Sequence, residues 1–245
     1  MREILKKEYA LTASDIDTHR RLRMSALLSY LQNMATEHAD ILDFGGERMM
    51  REYGAVWIMV RSHTALRRPI GMDETLEIHT WPRGIGKAAT VFRDFDIFAG
   101  GEHVGEVTMS WVLADLESRK ILKPALIPAV MESPYPEIVK ALVPGKIVMP
   151  AELLPAMTRP VYYSDTDVNG HMNNTRYADI VCDAIRYERC TGQFISELQI
   201  NYLQESFPGD VLTILCGGSE DARYVRGMDD AGKSRFEARV VLADC

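Results

Sequence analysis

The chain has 245 residues, 47% hydrophobic and 26% charged, a composition that supports one large or two small packed domains and excludes disordered, collagenous and low-complexity classes. Its formal net charge of −7 argues against nonspecific binding to DNA or to an anionic membrane. The longest uncharged stretch, Met24 to Thr36, carries Ser25, Ser29, Gln32, Asn33 and Thr36, too short and too polar for a membrane span.

Arg2, Glu3, Lys6, Lys7 and Glu8 follow Met1 with no apolar run, so no secretory signal is expected, and a soluble cytoplasmic protein is. Cys182, Cys190, Cys216 and Cys245 have neither CxxC nor Cys/His zinc spacing, which fits reduced thiols filling ordinary packing positions.

In chain order, Ser14-Asp15-Ile16-Asp17 precedes a helical pattern with Met24, Leu27, Leu28, Leu31, Met34 and Ala35 on one face. Alternation follows. Val56, Ile58 and Val60 alternate against Trp57 and Met59, and Val107, Met109, Trp111 and Leu113 form a second alternating run. Eight of the eleven prolines then crowd Pro124 to Pro160, which reads as a connector with one short helix around Pro136–Leu142. After it the order repeats. Ser164-Asp165-Thr166-Asp167 precedes a helical face of Tyr177, Ile180, Val181, Ala184 and Ile185, then alternation at Leu198, Ile200 and Tyr202 and at Phe236, Ala238, Val240 and Leu242. Asp115-Leu116-Glu117-Ser118 and Asp229-Asp230-Ala231-Gly232 read as hairpin turns in corresponding places. The shared order implies a duplication: two α+β units, each a helix wrapped by antiparallel strands, with boundaries expected at 1–133, 134–155 and 156–245.

The chemistry concentrates in Ser164–Tyr177. Asp165, Asp167, Asn169 and Gly170 imitate the opening of a calcium loop, but the position that needs a closing glutamate holds Arg176, a cation. Turn and cap roles account for some of these residues, including Asn173 or Asn174 at the helix start. They leave His171 unexplained. Polar groups gathered at a helix N-terminus suit an acyl-transfer oxyanion, since the exposed N–H groups and the helix dipole favour negative charge.

Asp167-Val168-Asn169-Gly170-His171-Met172-Asn173-Asn174-Thr175-Arg176-Tyr177 resembles the D-x-N-x-H-x-N-N-x-x-Y signature of acyl-ACP thioesterases. Leu27–Ala35 resembles their first central helix, and Val56–Arg61 through Ile78–Trp81 the strands that follow. The resemblance implies a tandem hotdog fold, an N-terminal hotdog that binds the acyl chain, and a C-terminal one that hydrolyses fatty acyl-acyl carrier protein to free fatty acid and carrier, terminating fatty acid synthesis. It assigns catalysis to Asp167, Asn169, His171 and Glu205. Where plant members carry cysteine after that glutamate, this chain has Ser206. Glu205 with His171 supplies base and proton relay, Asn169 orients water or carbonyl, and Asp167 either orients the loop or attacks directly. No cofactor and no metal is expected. An acyl-CoA thioesterase on the same fold and a noncatalytic acyl-binding module are the rival readings.

The expected partner is acyl carrier protein bearing a fatty-acyl phosphopantetheine thioester, with no nucleic acid and a homodimer allowed. Its acidity requires basic residues, for which Arg20, Arg21, Arg23, Arg67, Arg68, Arg176, Arg186 and Arg189 are candidates. Aligning Asp15 and Asp17 with Asp165 and Asp167 sets Arg21 opposite His171, and aligning Asp73 with Asp210 sets Arg68 opposite Glu205. The first unit thus lacks both reactive groups.

Overall fold

The computed structural model describes residues 4–86, 89–123 and 142–245. Ten antiparallel strands form one sheet in the order β1-β3-β4-β5-β2-β7-β10-β9-β8-β6. The first half contributes β1 (Leu5–Ala10), β2 (Ala55–Leu66), β3 (Thr75–Ile85), β4 (Thr90–Ala99) and β5 (Glu102–Asp115). The second contributes β6 (Leu154–Pro160), β7 (Gln193–Tyr202), β8 (Val211–Gly218), β9 (Arg223–Met228) and β10 (Ser234–Asp244). Outward from the β2–β7 seam the two halves repeat one order, so the sheet has internal two-fold pseudosymmetry. The duplicated units are therefore joined through their strands rather than carrying separate sheets. At the seam the register runs from Arg61↔Asn201 to Ala65↔Glu197, with His63 opposite Gln199.

Each half of the sheet cradles one helix, the tandem hotdog arrangement. α1 (Met24–Ile41) spans about 27 Å at 1.5 Å per residue and buries Met24, Leu27, Leu28, Leu31, Met34 and Ala35. A further helix, α2 (Gly46–Tyr53), has no counterpart among the described residues of the second half; its one buried residue, Met49, joins a satellite cluster with Phe44 and Leu113, too little periodicity to be legible in sequence. α3 (Arg176–Ala184) buries Tyr177, Ala178, Ile180, Val181 and Ala184, and packs on α1, so one apolar core runs through both halves.

An irregularity in the β2–β5 register between Met59 and Arg61 switches the buried parity of β2 from Ala55 and Met59 to Ser62, Thr64 and Leu66, with Val56, Ile58 and Val60 half-buried. One sequence expectation changes. The Asp229–Gly232 turn does join β9 to β10, but its counterpart is the Gly100-Gly101 turn between β4 and β5; Asp115–Ser118 instead follows β5 and returns the chain through an Ala114↔Ile121 bridge. Most of the connector helix expected at Pro136–Leu142 lies outside the described residues. Residues 142–150, without regular secondary structure, run over the sheet face away from the helices, where the Leu142 carbonyl accepts from Arg83 and the Gly145 carbonyl accepts from Gln199 and Asn201.

Candidate active site

The loop before α3 is knitted by its own backbone. Asp167 N–H donates to the His171 carbonyl (3.0 Å), Gly170 N–H to the Asp167 carbonyl (3.0 Å) and Asn173 N–H to the Asp165 carbonyl (2.8 Å), while Thr166 and Met172 form an isolated bridge. So tight a reversal needs a left-handed residue, which Gly170 supplies at φ 77°. Asp165 is buried and committed to structure: its carboxylate takes the Tyr162 N–H and a 2.6 Å contact from Arg159. Asn173 Oδ1 accepts from the Thr175 N–H and hydroxyl, fastening the start of α3.

The loop is tied to Leu203–Asp210 by Met172 N–H donating to the Ser206 carbonyl at 2.8 Å. That bond brings Glu205 to His171. The imidazole lies between two carboxylates, with Nδ1 3.9 Å from Asp167 Oδ1 and Nε2 3.8 Å from Glu205 Oε1. Both separations exceed direct hydrogen-bond length, so the groups form a row with room for adjustment rather than a locked triad. Phe207 stands edge-on to the His171 ring. Asp167 Oδ1 also accepts the Asn169 N–H at 2.9 Å, whereas Asn169 itself is exposed. Glu205 is the more open carboxylate, its side chain 31% exposed against 13% for Asp167.

Ser206, the departure from the plant pattern, is fully buried behind Glu205 and accepts a 3.1 Å hydrogen bond from the Tyr177 hydroxyl. Tyr177 stacks edge-on against Tyr202, whose hydroxyl lies 3.2 Å from Ser62 Oγ on β2, so aromatic packing leads from behind Glu205 to the first half. Burial pushes the thiols of Cys182 and Cys216 up, which leaves neither as an activated nucleophile.

The first half repeats the loop with other side chains. Asp17 N–H donates to the Arg21 carbonyl, Arg20 N–H to the Asp17 carbonyl, and Leu22 N–H to the Ile70 carbonyl, reproducing the bonds around His171 and Ser206. Ile70 therefore corresponds to Ser206 and Pro69 to Glu205. Gly71 N–H on the Glu74 carboxylate, which repeats Phe207 N–H on Asp210, fixes the same correspondence. The sequence alignment on Asp73 is one residue out; Pro69, not Arg68, occupies the glutamate position. Only a cavity of about 10 Å³ remains there, the size of a single water, beside Arg21, Tyr187 and Phe194.

Several of the arginines expected to meet an acidic partner are engaged within the fold. Arg68 is bound by Glu74 and Glu102, Arg67 by His103, Arg21 by the Gln193 carbonyl, and Arg23 by the Ile16 carbonyl. Arg176 and Asp179 form a half-exposed pair on the first turn of α3. Arg20 faces Asp73 at 3.8 Å, and Arg186 and Arg189 share Glu188. Two site residues escape the sequence reading: Arg119, whose Nη2 reaches Glu205 Oε2 at 3.2 Å, and Arg235, which donates to the Glu205 carbonyl. Nothing local marks either one, since Arg119 lies 86 positions from its partner.

Comparison with known proteins finds a matching family and several similar chains. The acyl-ACP thioesterase N-terminal domain matches residues 2–125, and the acyl-ACP thioesterase C-terminal domain matches residues 156–240. The chain is 23% identical to a dodecanoyl-[acyl-carrier-protein] hydrolase of Cinnamomum camphora, an alignment covering 98% of this chain and 69% of that one. It is 21% identical to oleoyl-acyl carrier protein thioesterase 1 of Arabidopsis thaliana, over 93% and 67% of the two chains. Among solved structures, an acyl-ACP thioesterase from Bacteroides thetaiotaomicron superposes with a TM-score of 0.82 at 23% identity over 98% of each chain. The 12:0-ACP thioesterase from Umbellularia californica gives 0.78 at 22% identity over 99% and 98%.

Proposed function

The chain belongs to the acyl-ACP thioesterase family, and from that premise we propose that Asp167, Asn169, His171 and Glu205 hydrolyse fatty acyl-acyl carrier protein to free fatty acid and carrier. The observation that carries this assignment is the His171 ring set between the Asp167 and Glu205 carboxylates in the second half.

Glu205, the more solvent-open of the two, takes a proton from water, whose oxygen attacks the thioester carbonyl carbon. The C–O bond forms, the carbonyl electrons move onto oxygen, and collapse of that intermediate breaks the C–S bond. His171 relays the proton from Glu205 to the departing sulfur, so the carrier leaves as its thiol. Asn169 presents its amide to the carbonyl oxygen. Asp167, holding the Asn169 N–H and facing the imidazole, orients the loop rather than attacking. We assign residues 1–133 to acyl-chain binding and residues 156–245 to catalysis, with 134–155 as the connector between them. Support comes from the lost histidine and carboxylate positions of the first half and from the apolar face of α1, where Met24 and Met34 adapt to differently shaped chains. We place the enzyme in the cytoplasm: its four cysteines are free, and among the described residues no helix is long and apolar enough to cross a membrane.

The test is release of free fatty acid from purified acyl-ACP and, in parallel, from acyl-CoA. Glu205→Gln and His171→Asn each lower kcat on the order of 10²-fold or more in folded protein, the usual scale for a positioned acid–base group. Single turnover in ¹⁸O-water labels the fatty acid alone; label in the Asp167 carboxylate would instead establish a covalent anhydride. Near-normal turnover by Glu205→Gln would remove the base assignment.

A further inference from the structure

Glu205 is met by a cation from the opposite half of the molecule. Arg119 Nη2 lies 3.2 Å from Oε2 and 3.4 Å from Oε1, so one guanidinium nitrogen spans both carboxylate oxygens, while His171 Nε2 approaches Oε1 from another direction at 3.8 Å. We propose that Arg119 is a positioning residue for the reaction: it fixes the rotamer of Glu205 so that one oxygen stays beside His171. The inference rests on the reading of Glu205 as the base.

Both partners are anchored by backbone. Arg119 adopts φ 58°, a left-handed conformation uncommon for a residue with a Cβ, at the end of a turn braced on every side. Its N–H donates to the Asp115 carbonyl, Asp115 N–H to the Lys120 carbonyl, Leu116 N–H to the Gly54 carbonyl and Leu122 N–H to the Leu113 carbonyl. The Asp115 carboxylate takes the Ser118 hydroxyl and N–H, both at 2.7 Å, bonds that hold its carboxyl below the ordinary range. On the other side, Arg235 donates to the Glu205 carbonyl, and its own charge is balanced by Asp229 and Asp210. Arg235 thus holds the Glu205 main chain, and the side chain is left to Arg119.

An exposed ion pair contributes little to stability, and Arg119 is about half exposed, so the pair's consequence is geometric. A glutamate has three side-chain torsions, and one free to swing into solvent spends only part of its time facing the imidazole. The duplicated fold explains the source of the cation: the turn after β5 of one half abuts the loop of the other, and the half that lost its carboxylate still supplies the group that orients the surviving one.

The experiment uses the full chain and acyl-ACP, with Arg119→Gln and Arg119→Lys made singly and each combined with Glu205→Gln, and melting curves confirming fold. Arg119→Gln lowers kcat about 10-fold with KM within about twofold of the parent, the scale expected when a catalytic group is misplaced rather than removed. Arg119→Lys, which keeps the charge, recovers most of the loss. In the Glu205→Gln background, adding Arg119→Gln has no further effect, because the two residues act as one unit. A kcat unchanged in Arg119→Gln, a loss carried by KM alone, or a loss that persists in the Glu205→Gln background each overturns the proposal. A severe Glu205→Gln beside a harmless Arg119→Gln defeats only this inference; a harmless Glu205→Gln defeats the base assignment and this inference with it.

Discussion

At the scale of single residues, the site is a division of labour among carboxylates that look alike in sequence. Asp165 and Asp167 sit two positions apart, yet the first is buried against Arg159 and the second faces an imidazole. The first-half twin of Asp165, Asp15, is likewise structural, taking the Thr12 N–H and hydroxyl and the Tyr30 hydroxyl; burial together with that contact pushes the Tyr30 hydroxyl up to about 12. Ser206 illustrates the same point for a hydroxyl. Fully buried and bonded to Tyr177, it is a packing and hydrogen-bonding residue. Tyr177→Phe leaves the Ser206 oxygen without its donor and lowers unfolding free energy by about 1 kcal/mol, the ordinary net value of a neutral hydrogen bond. Urea denaturation measures it, and chain-length selectivity changes little if Tyr177 supports the site only from behind.

At the scale of elements, the seam strands carry a pH dependence. His63 on β2 faces Glu197 at 3.7 Å, with Arg239 and Glu106 also acting on it; burial, the largest influence, pulls its imidazole below the ordinary value, and Glu197 opposes that only in part. Protonation is thus disfavoured in the folded state relative to the unfolded one. The unfolded chain binds the extra proton first, so the stability His63 contributes is present above about pH 6.5 and is lost as pH falls through the lower folded value. Unfolding free energy between about pH 7 and pH 5 therefore declines less steeply in His63→Gln than in the parent.

α1 poses a second question at this scale. Leu31 and Met34 are fully buried on its apolar face, while His38, buried one turn later, meets the guanidinium of Arg93 at 2.9 Å. Burial brings Arg93 down to about 9, still charged at neutral pH. The apolar face of α1 thus ends at a buried cation. Phe in place of Met34 shortens the preferred acyl chain if the chain runs along this face, and only lowers Tm, by overpacking worth about 1–3 kcal/mol, if it does not. Product profiles by gas chromatography beside melting curves separate the two.

At the scale of the whole molecule, the two loops related by pseudosymmetry carry different arginines. Arg20, Arg21 and Arg23 belong to the loop of the first half, where Arg21 and Pro69 stand in the places of His171 and Glu205, whereas Arg176 opens the helix that follows the His171 loop. Charge reversal at Arg176 raises KM for acyl-ACP several-fold more than for acyl-CoA and does so less at high salt, since complementary surface charge acts mainly on encounter. Reversal at Arg20 leaves both values near the parent. Steady-state kinetics with the two carriers at two ionic strengths provide the comparison.

The sequence alone determined α1, α3, the duplication and the polar loop before α3, because each is local: helical apolar spacing in Met24–Ala35 and Tyr177–Ile185, a repeated Ser-Asp-x-Asp, and polar residues within one turn of each other. It missed α2, whose single buried Met49 leaves no periodic trace, and it did not show that the buried face of β2 changes after Met59, because that irregularity reverses parity without any marker residue. Only the tertiary structure decided the rest. Pairing of β2 with β7 merges two half-sheets into one, Met172 bonding to Ser206 brings Glu205 to His171, and the turn after β5 delivers Arg119 across the halves. Those contacts join segments dozens of positions apart. Their partners are selected by sheet register and by the packing of the two helices, physical constraints that act on the folded chain as a whole and leave no periodic mark on its local sequence.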